Sequence, residues 1–372
     1  MTVLLVLILA GTAFAAGKQE SAAAAGPPIK IGAIFAETGG AANLGAPEAK
    51  TLRMLTDEIN AKGGINGRLL EVIIKDSAAS AEKAVSFTKQ LIEEDQVSLI
   101  IGPTTSGETM QIKDICEKAG VPLLSCAAAE QIVNPVAKYV FKTPQNDSFV
   151  VQWIYKTMNE MGISNIGVVV ANTGFGNAGK GQLEKYAPDF NIKIKIAETY
   201  DANATDLTAL MAKVQAADIQ AVVNWSIVPA QSIVIKNMRQ LGMKQTLFQS
   251  HGFGNIKYVE AAGEAAEGVI FPCGRLLIAN ELPDSNPQKA LLVKYKNDYE
   301  SKYGEDVSTF GGHAYDAFAI AVKAIQIAGS DRAKLRDAIE SITNFAGTAG
   351  IFNFSATDHN GLDMNSVEML TV

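Results

Sequence analysis

Cysteine, histidine and tryptophan are scarce: the 372 residues hold three Cys, three His and two Trp. So few cysteines exclude a disulfide scaffold, and an odd number leaves at least one thiol free. The sequence leaves a Cys116–Cys126 bridge open and otherwise suits buried, unreactive thiols. None of His251, His313 and His359 stands at metal-ligand spacing from a cysteine or another histidine, so no metal is expected. A basic excess is missing too. Lys and Arg total 32 against 39 Asp and Glu, a formal net charge of −7, which argues against nucleic acid as a partner. Beyond the amino terminus no apolar run is long enough to span a bilayer. What is there, 48% hydrophobic and 19% charged residues with 32 Gly and 12 Pro, is the make-up of a globular chain. The length exceeds what one hydrophobic core fills, so two domains are expected.

Val3 to Phe14 is apolar and uncharged and leads into Ala13-Phe14-Ala15, with small residues at the two positions a signal peptidase reads. Residues 1–15 are therefore read as a signal peptide cleaved after Ala15, and 16–28, rich in Ala and Gly, as a flexible tether. No Lys or Arg precedes the run, which departs from the usual pattern, and no Cys follows it to carry a lipid anchor. The reading is an exported protein.

From Ile29 apolar strands alternate with amphipathic helical stretches. Strands are expected at Ile29–Ala36, Leu69–Lys75, Val97–Ile101 and Val121–Ser125. Between them Leu52, Leu55 and Ile59, then Ala84, Phe87, Leu91 and Ile92, then Glu108–Lys118 mark helices. Runs such as Ser98-Leu99-Ile100-Ile101 suit parallel strands covered on both faces. The rhythm restarts with a helix near Asp147, followed by strands at Ile166–Val170, Ile192–Ala197, Ala221–Trp225 and Thr246–Gln249. From about Arg275 the chain is again helical, with a long helix around Ala314–Ile327 and a short strand near Ile351–Phe354. The expectation is an α/β fold of two doubly wound lobes, whose ligand lies outside the carboxyl ends of the strands.

Catalytic patterns are thin. Gly174-Phe175-Gly176-Asn177-Ala178-Gly179 matches G-x-G-x-x-G after a strand, with Glu198 ending a later one, and suggests dinucleotide binding. Against it, Ala171-Asn172-Thr173 separate the strand from the first glycine, and the motif opens the second lobe. No G-x-S-x-G elbow is present, so no enzyme activity and no cofactor are expected, an NAD-dependent oxidoreductase staying as the enzymatic alternative. The loop Gly102–Gly107 carries Thr105 and Ser106 into a helix N-terminus, a place for a carboxylate or for ordinary capping. Ser125–Ala129 offers main-chain groups beside small side chains. Trp225, ending a strand, either lines the cleft or packs beneath it; Trp153 reads as core, His313 as a helix start and His359 as a turn residue.

Several stretches together are specific. Ile31-Gly32-Ala33 with Thr38-Gly39, the run Glu58-Ile59-Asn60-Ala61-Lys62-Gly63-Gly64-Ile65-Asn66-Gly67, Ile101-Gly102-Pro103, Ala119-Gly120-Val121-Pro122, Ala265-Ala266-Glu267-Gly268 and Tyr315-Asp316-Ala317 resemble the periplasmic leucine/isoleucine/valine-binding-protein family. The resemblance runs from about Ile29 to Phe354 and implies two Rossmann-like lobes joined by a three-crossover hinge, the type I periplasmic binding fold. It implies lobe 1 at 29–145 plus 275–348 and lobe 2 at 146–274 plus 349–372. It further implies a periplasmic monomer that delivers a small solute to an ABC permease in the inner membrane, with a ligand sensor on the same fold as the alternative.

By position, the resemblance puts the ligand carboxylate at Ser106, beside Thr105, and at the Ala129 amide. It puts the ammonium at the Ala127 carbonyl, at a Thr position held here by Ala129, and at an acidic position held by His251. Leu44, Phe175 and Ile227, beside Trp225 and Ser226, fall at the walls. Two missing ammonium partners would cost roughly 3–6 kcal/mol. The ligand expected on that ground is a small carboxylate-bearing organic acid, aromatic or 2-oxo, with a branched-chain or other aliphatic amino acid as the alternative.

Overall fold

The computed structural model describes residues 26–372. The signal peptide and most of the tether expected at the amino terminus lie outside them. Thirteen strands form two larger sheets and a two-stranded ribbon among the described residues. The first lobe holds β1 (Ile29–Phe35), β2 (Leu70–Asp76), β3 (Leu99–Ile101), β4 (Leu123–Ser125) and β5 (Val140–Lys142), ordered β2-β1-β3-β4-β5 and all parallel. The apolar runs are central strands: every residue of β3 and β4 is buried, as two covered faces require. One face packs on the helices Ala42–Ala61 and Thr309–Ala328 through Leu52, Phe318 and Ile325. The other is covered through Leu91, Ile112 and Cys116.

The second lobe holds β6 (Asn165–Ala171), β7 (Lys193–Tyr200), β8 (Ala221–Trp225), β9 (Thr246–Gln249) and β10 (Ile270–Cys273). The ribbon is β11 (Phe345–Ala346) with β12 (Ile351–Phe352), and β13 (Glu368–Thr371) closes the chain. The second sheet runs β13-β10-β9-β8-β6-β7, parallel except for β13 against β10. Sequence reading passed over β5, β10 and β13, and Cys273 ends β10. Cys116, Cys126 and Cys273 are all free and buried, so no Cys116–Cys126 bridge forms.

Three chain crossings join the lobes, and one side chain ties them. Gln145, on the first crossing, donates from Nε2 to Ala349 O at 2.8 Å and Ser366 O at 3.1 Å; a Cβ on Gly274, on the second crossing, would sit 2.9 Å from the same nitrogen. The third crossing comes later than the sequence suggests. Residues 349–362, assigned by resemblance to the second lobe, pack in the first: Ala349, Phe352, Phe354 and Leu362 belong to its core, and only Val367 onward joins the second. Short apolar residues around the β12 ribbon carry no mark of which sheet they cover. Trp153 packs partly buried against the second core, its indole donating to Met364 O at 2.7 Å.

The glycines of the G-x-G-x-x-G stretch lie in a helix, Gly174–Tyr186, rather than in a phosphate loop, and each answers to packing. A Cβ would fall 2.7 Å from Gly107 Cα at Gly174, 1.9 Å from Ala171 O at Gly176 and 2.1 Å from Trp225 Nε1 at Gly179. Gly179→Ala should therefore lower the unfolding free energy by about 1–3 kcal/mol in urea denaturation, the usual cost of overpacking; an unchanged midpoint would show that Trp225 yields freely.

Candidate ligand-binding site

The lobes meet along the carboxyl ends of their strands. Gly107 and Gly174 approach backbone to backbone, and Gln182 donates to Glu130 at 2.7 Å. Asn255 Nδ2 donates to Asn43 O at 2.7 Å, and the Thr309 amide to Gly254 O at 3.1 Å. These contacts enclose a cavity of about 20 Å³ lined from both sides. That is room for about one water, so the lobes stand closed and must part to admit a solute.

Its walls are apolar: Leu44, Pro144, Phe175, Ile227 and Phe310, with Ala127 and Ala128 along the main-chain side. Its polar groups are few. Ser106 opens the helix Ser106–Ala119, whose first-turn amides carry partial positive charge. The Ser106 oxygen accepts from the Ala129 amide at 3.3 Å, which leaves the hydroxyl hydrogen free to donate to an anion. Thr105 is engaged elsewhere: it caps that helix in a reciprocal box with Glu108, so of the two hydroxyls only Ser106 lines the cavity.

The cavity is also lined by His251, from the turn after β9 on the other lobe, and by His313, from the first turns of Thr309–Ala328. Both are buried, and neither ring nitrogen of His251 nor Nδ1 of His313 has a hydrogen-bond partner. Burial first, then His313 and Lys142, push His251 down to about 3; burial and Lys142 do the same to His313, also about 3. At neutral pH each imidazole is uncharged and presents one accepting and one donating nitrogen.

Lys142 lies behind the main-chain wall. Its fully buried ammonium donates to Ala128 O at 3.0 Å and Pro144 O at 2.9 Å. Burial lowers it to about 7 against the pull of Asp147, itself raised by burial to about 6.

Of the positions singled out from sequence, Leu44, Ser106, Ala127, Phe175, Ile227 and His251 line the cavity. Four do not. Ala129 sits behind Ser106, Ser226 spends its oxygen on the Val228 amide at 3.1 Å, and Thr105 is the cap. Trp225 packs beneath, its ring 5.6 Å from Phe175 and edge-on to His251 at 5.7 Å. Thr104, Cys126, Ala128, Pro144, Gly252, Phe310 and His313 line the cavity and were not among those positions. Phe310 and His313, three apart at a helix start, share a face toward the strand ends; that spacing was the available signal.

The chain matches the family model described as periplasmic binding protein over residues 28–366. The leucine-, isoleucine-, valine-, threonine-, and alanine-binding protein of Pseudomonas aeruginosa is 26% identical over 318 residues, covering 85% of this chain and 83% of that protein. An extracellular ligand-binding receptor from Rhodopseudomonas palustris HaA2 has a TM-score of 0.87 at 26% identity, over 92% of this chain and 97% of that one. The branched-chain amino acid transporter substrate binding protein of Streptococcus pneumoniae, solved in complex with isoleucine, has a TM-score of 0.83 at 27% identity, over 93% and 96%. With two parallel-sheet lobes meeting over an apolar cleft and a match running through almost all of the described chain, this protein belongs to the periplasmic binding protein family, in its Leu/Ile/Val-binding branch.

Proposed function

We propose that the protein is a monomeric periplasmic receptor that captures a small aliphatic amino acid of the branched-chain kind and hands it to an ABC permease. The observation that carries this reading is the pairing of a carboxylate site with uncharged acceptors across a small apolar cavity. Ser106 and the helix amides suit the carboxylate; Leu44, Phe175, Ile227 and Phe310 suit the aliphatic tail. The organic-acid expectation assumed that His251 and Ala129 leave the ammonium without partners. Two neutral imidazoles weaken that assumption, because each lone pair can accept a charge-assisted hydrogen bond worth roughly 1.5–3 kcal/mol. The binding named for the Pseudomonas relative and the isoleucine held by the Streptococcus protein point the same way.

One observation favours the second reading, an acid lacking the ammonium. The buried Lys142 ammonium behind Ala128 and Pro144 places positive charge near the cavity, and no ion pair to it occurs among the described residues.

A thermal-shift series with matched pairs separates the two. Leucine, isoleucine and valine are each set beside their 2-oxo acids. Ligand at a hundred times its dissociation constant should add about 2.7 kcal/mol to the stability. Shifts with the amino acids are expected; shifts confined to the oxo acids would transfer the assignment to the acid. In titration calorimetry Ser106→Ala should weaken the bound carboxylate ligand by roughly tenfold to a hundredfold while the fold persists. Unchanged affinity would remove Ser106 from the site.

A further inference from the structure

A carboxyl that no part of the reading above uses sits under the cavity floor. Glu48, in the helix Ala42–Ala61, is fully buried; its Oε1 has no hydrogen-bond partner and its Oε2 is hydrogen-bonded to the Thr104 hydroxyl. Thr104 lines the cavity, and its oxygen also accepts from the Ala36 amide at 3.0 Å. A hydroxyl has one hydrogen and two lone pairs. The amide takes one lone pair and Glu48 a second direction, so a single direction is left for a ligand.

What that direction offers depends on Glu48. An ionised carboxylate only accepts, so it would take the Thr104 hydrogen and leave the cavity a lone pair. A neutral carboxylic acid can donate, which leaves the Thr104 hydrogen to the cavity. The surroundings favour the neutral acid. No basic side chain pairs with Glu48 among the described residues, and the titratable neighbours are the buried Glu108 of Ser106–Ala119 and the buried Cys126 thiol after β4. Burial pushes Glu48 well above the ordinary carboxylate range, the Thr104 hydrogen bond opposes this, and Glu108 adds to the rise.

We propose that Glu48 is a specificity-determining positioning residue: it keeps its proton, donates it to Thr104, and so turns the Thr104 hydroxyl into a donor for a carboxylate or oxo oxygen of the ligand. The solute-binding reading is needed only for the ligand half of this inference.

Infrared difference spectra of wild type minus Glu48→Gln at pH 7 test the proton without any ligand. A protonated-carboxyl band is expected, and an ionised-carboxylate band in its place overturns the inference. Should the Gln variant fail to fold, Glu48→Leu gives the same subtraction. Leucine and 4-methyl-2-oxopentanoate are then titrated into each protein. Glu48→Gln, whose amide can also donate to Thr104, should stay within about threefold of wild type, whereas Thr104→Val should lose roughly tenfold to a hundredfold. Unchanged affinity in Thr104→Val overturns the role of Thr104. If neither compound binds wild type, the amino-acid reading and its oxo-acid rival fail, and the infrared band alone decides the protonation of Glu48.

Discussion

Hydrogen-bonding capacity held out of water governs this molecule. Three ring nitrogens of His251 and His313 are buried without partners, and Glu48 holds an oxygen in the same condition. Each such group costs free energy comparable to a lost hydrogen bond unless something completes it. Around a cavity enclosed by two lobes, that cost becomes selectivity, because a solute that matches donors to acceptors recovers it and an apolar molecule of the same size does not. Burial also fixes the character of the groups. It favours the neutral form of both imidazoles and pushes Glu48 well above the ordinary carboxylate range.

The cavity exists only because three crossings hold the lobes in one relation. Gln145 binds the first crossing to carbonyls around the third and packs on the second at Gly274. Beyond this knot the lobes also touch at Gly107 against Gly174 and Asn43 against Asn255, and Leu44, Ala128 and Phe310 pack into the second lobe's core. A binding protein of this family works by hinge closure, in which a ligand favours the state where it touches both lobes. Leu44, Ser106 and His313 come from one side, Phe175, Ile227 and His251 from the other.

Much of this was legible before any coordinates. The apolar runs that became β1, β3, β6 and β8 read as strands because both faces of a parallel sheet are covered, and long amphipathic stripes read as helices. Short elements were only partly legible: β5, β10 and β13, three or four residues long, were passed over, whereas β3, equally short, was found through the longer apolar run around it. The glycine stretch misled for a physical reason. Close packing on Gly107, Ala171 and Trp225 demands the same lack of side chain that a phosphate loop does. In the site, the rule that ligands sit at loops after strands drew attention to the loops of Ser106 and Ala127, and the family resemblance placed His251. Direction was the missing quantity: Thr104 and Thr105 are adjacent, yet only one faces the cavity while the other caps a helix. For His313 the spacing from Phe310 marks a shared helix face, but not that this face returns to the β9 turn.

The claim on which the account rests is that the lobes close on the solute through the Gly107–Gly174 contact. Small-angle X-ray scattering of the mature protein with and without saturating leucine, alongside Gly174→Ala, tests it directly. The account predicts a smaller radius of gyration on adding leucine to wild type, and little or no contraction in the variant, whose added methyl would lie 2.7 Å from Gly107 backbone atoms. Leucine bound with no change in the wild-type radius, or equal contraction in both proteins, would contradict it.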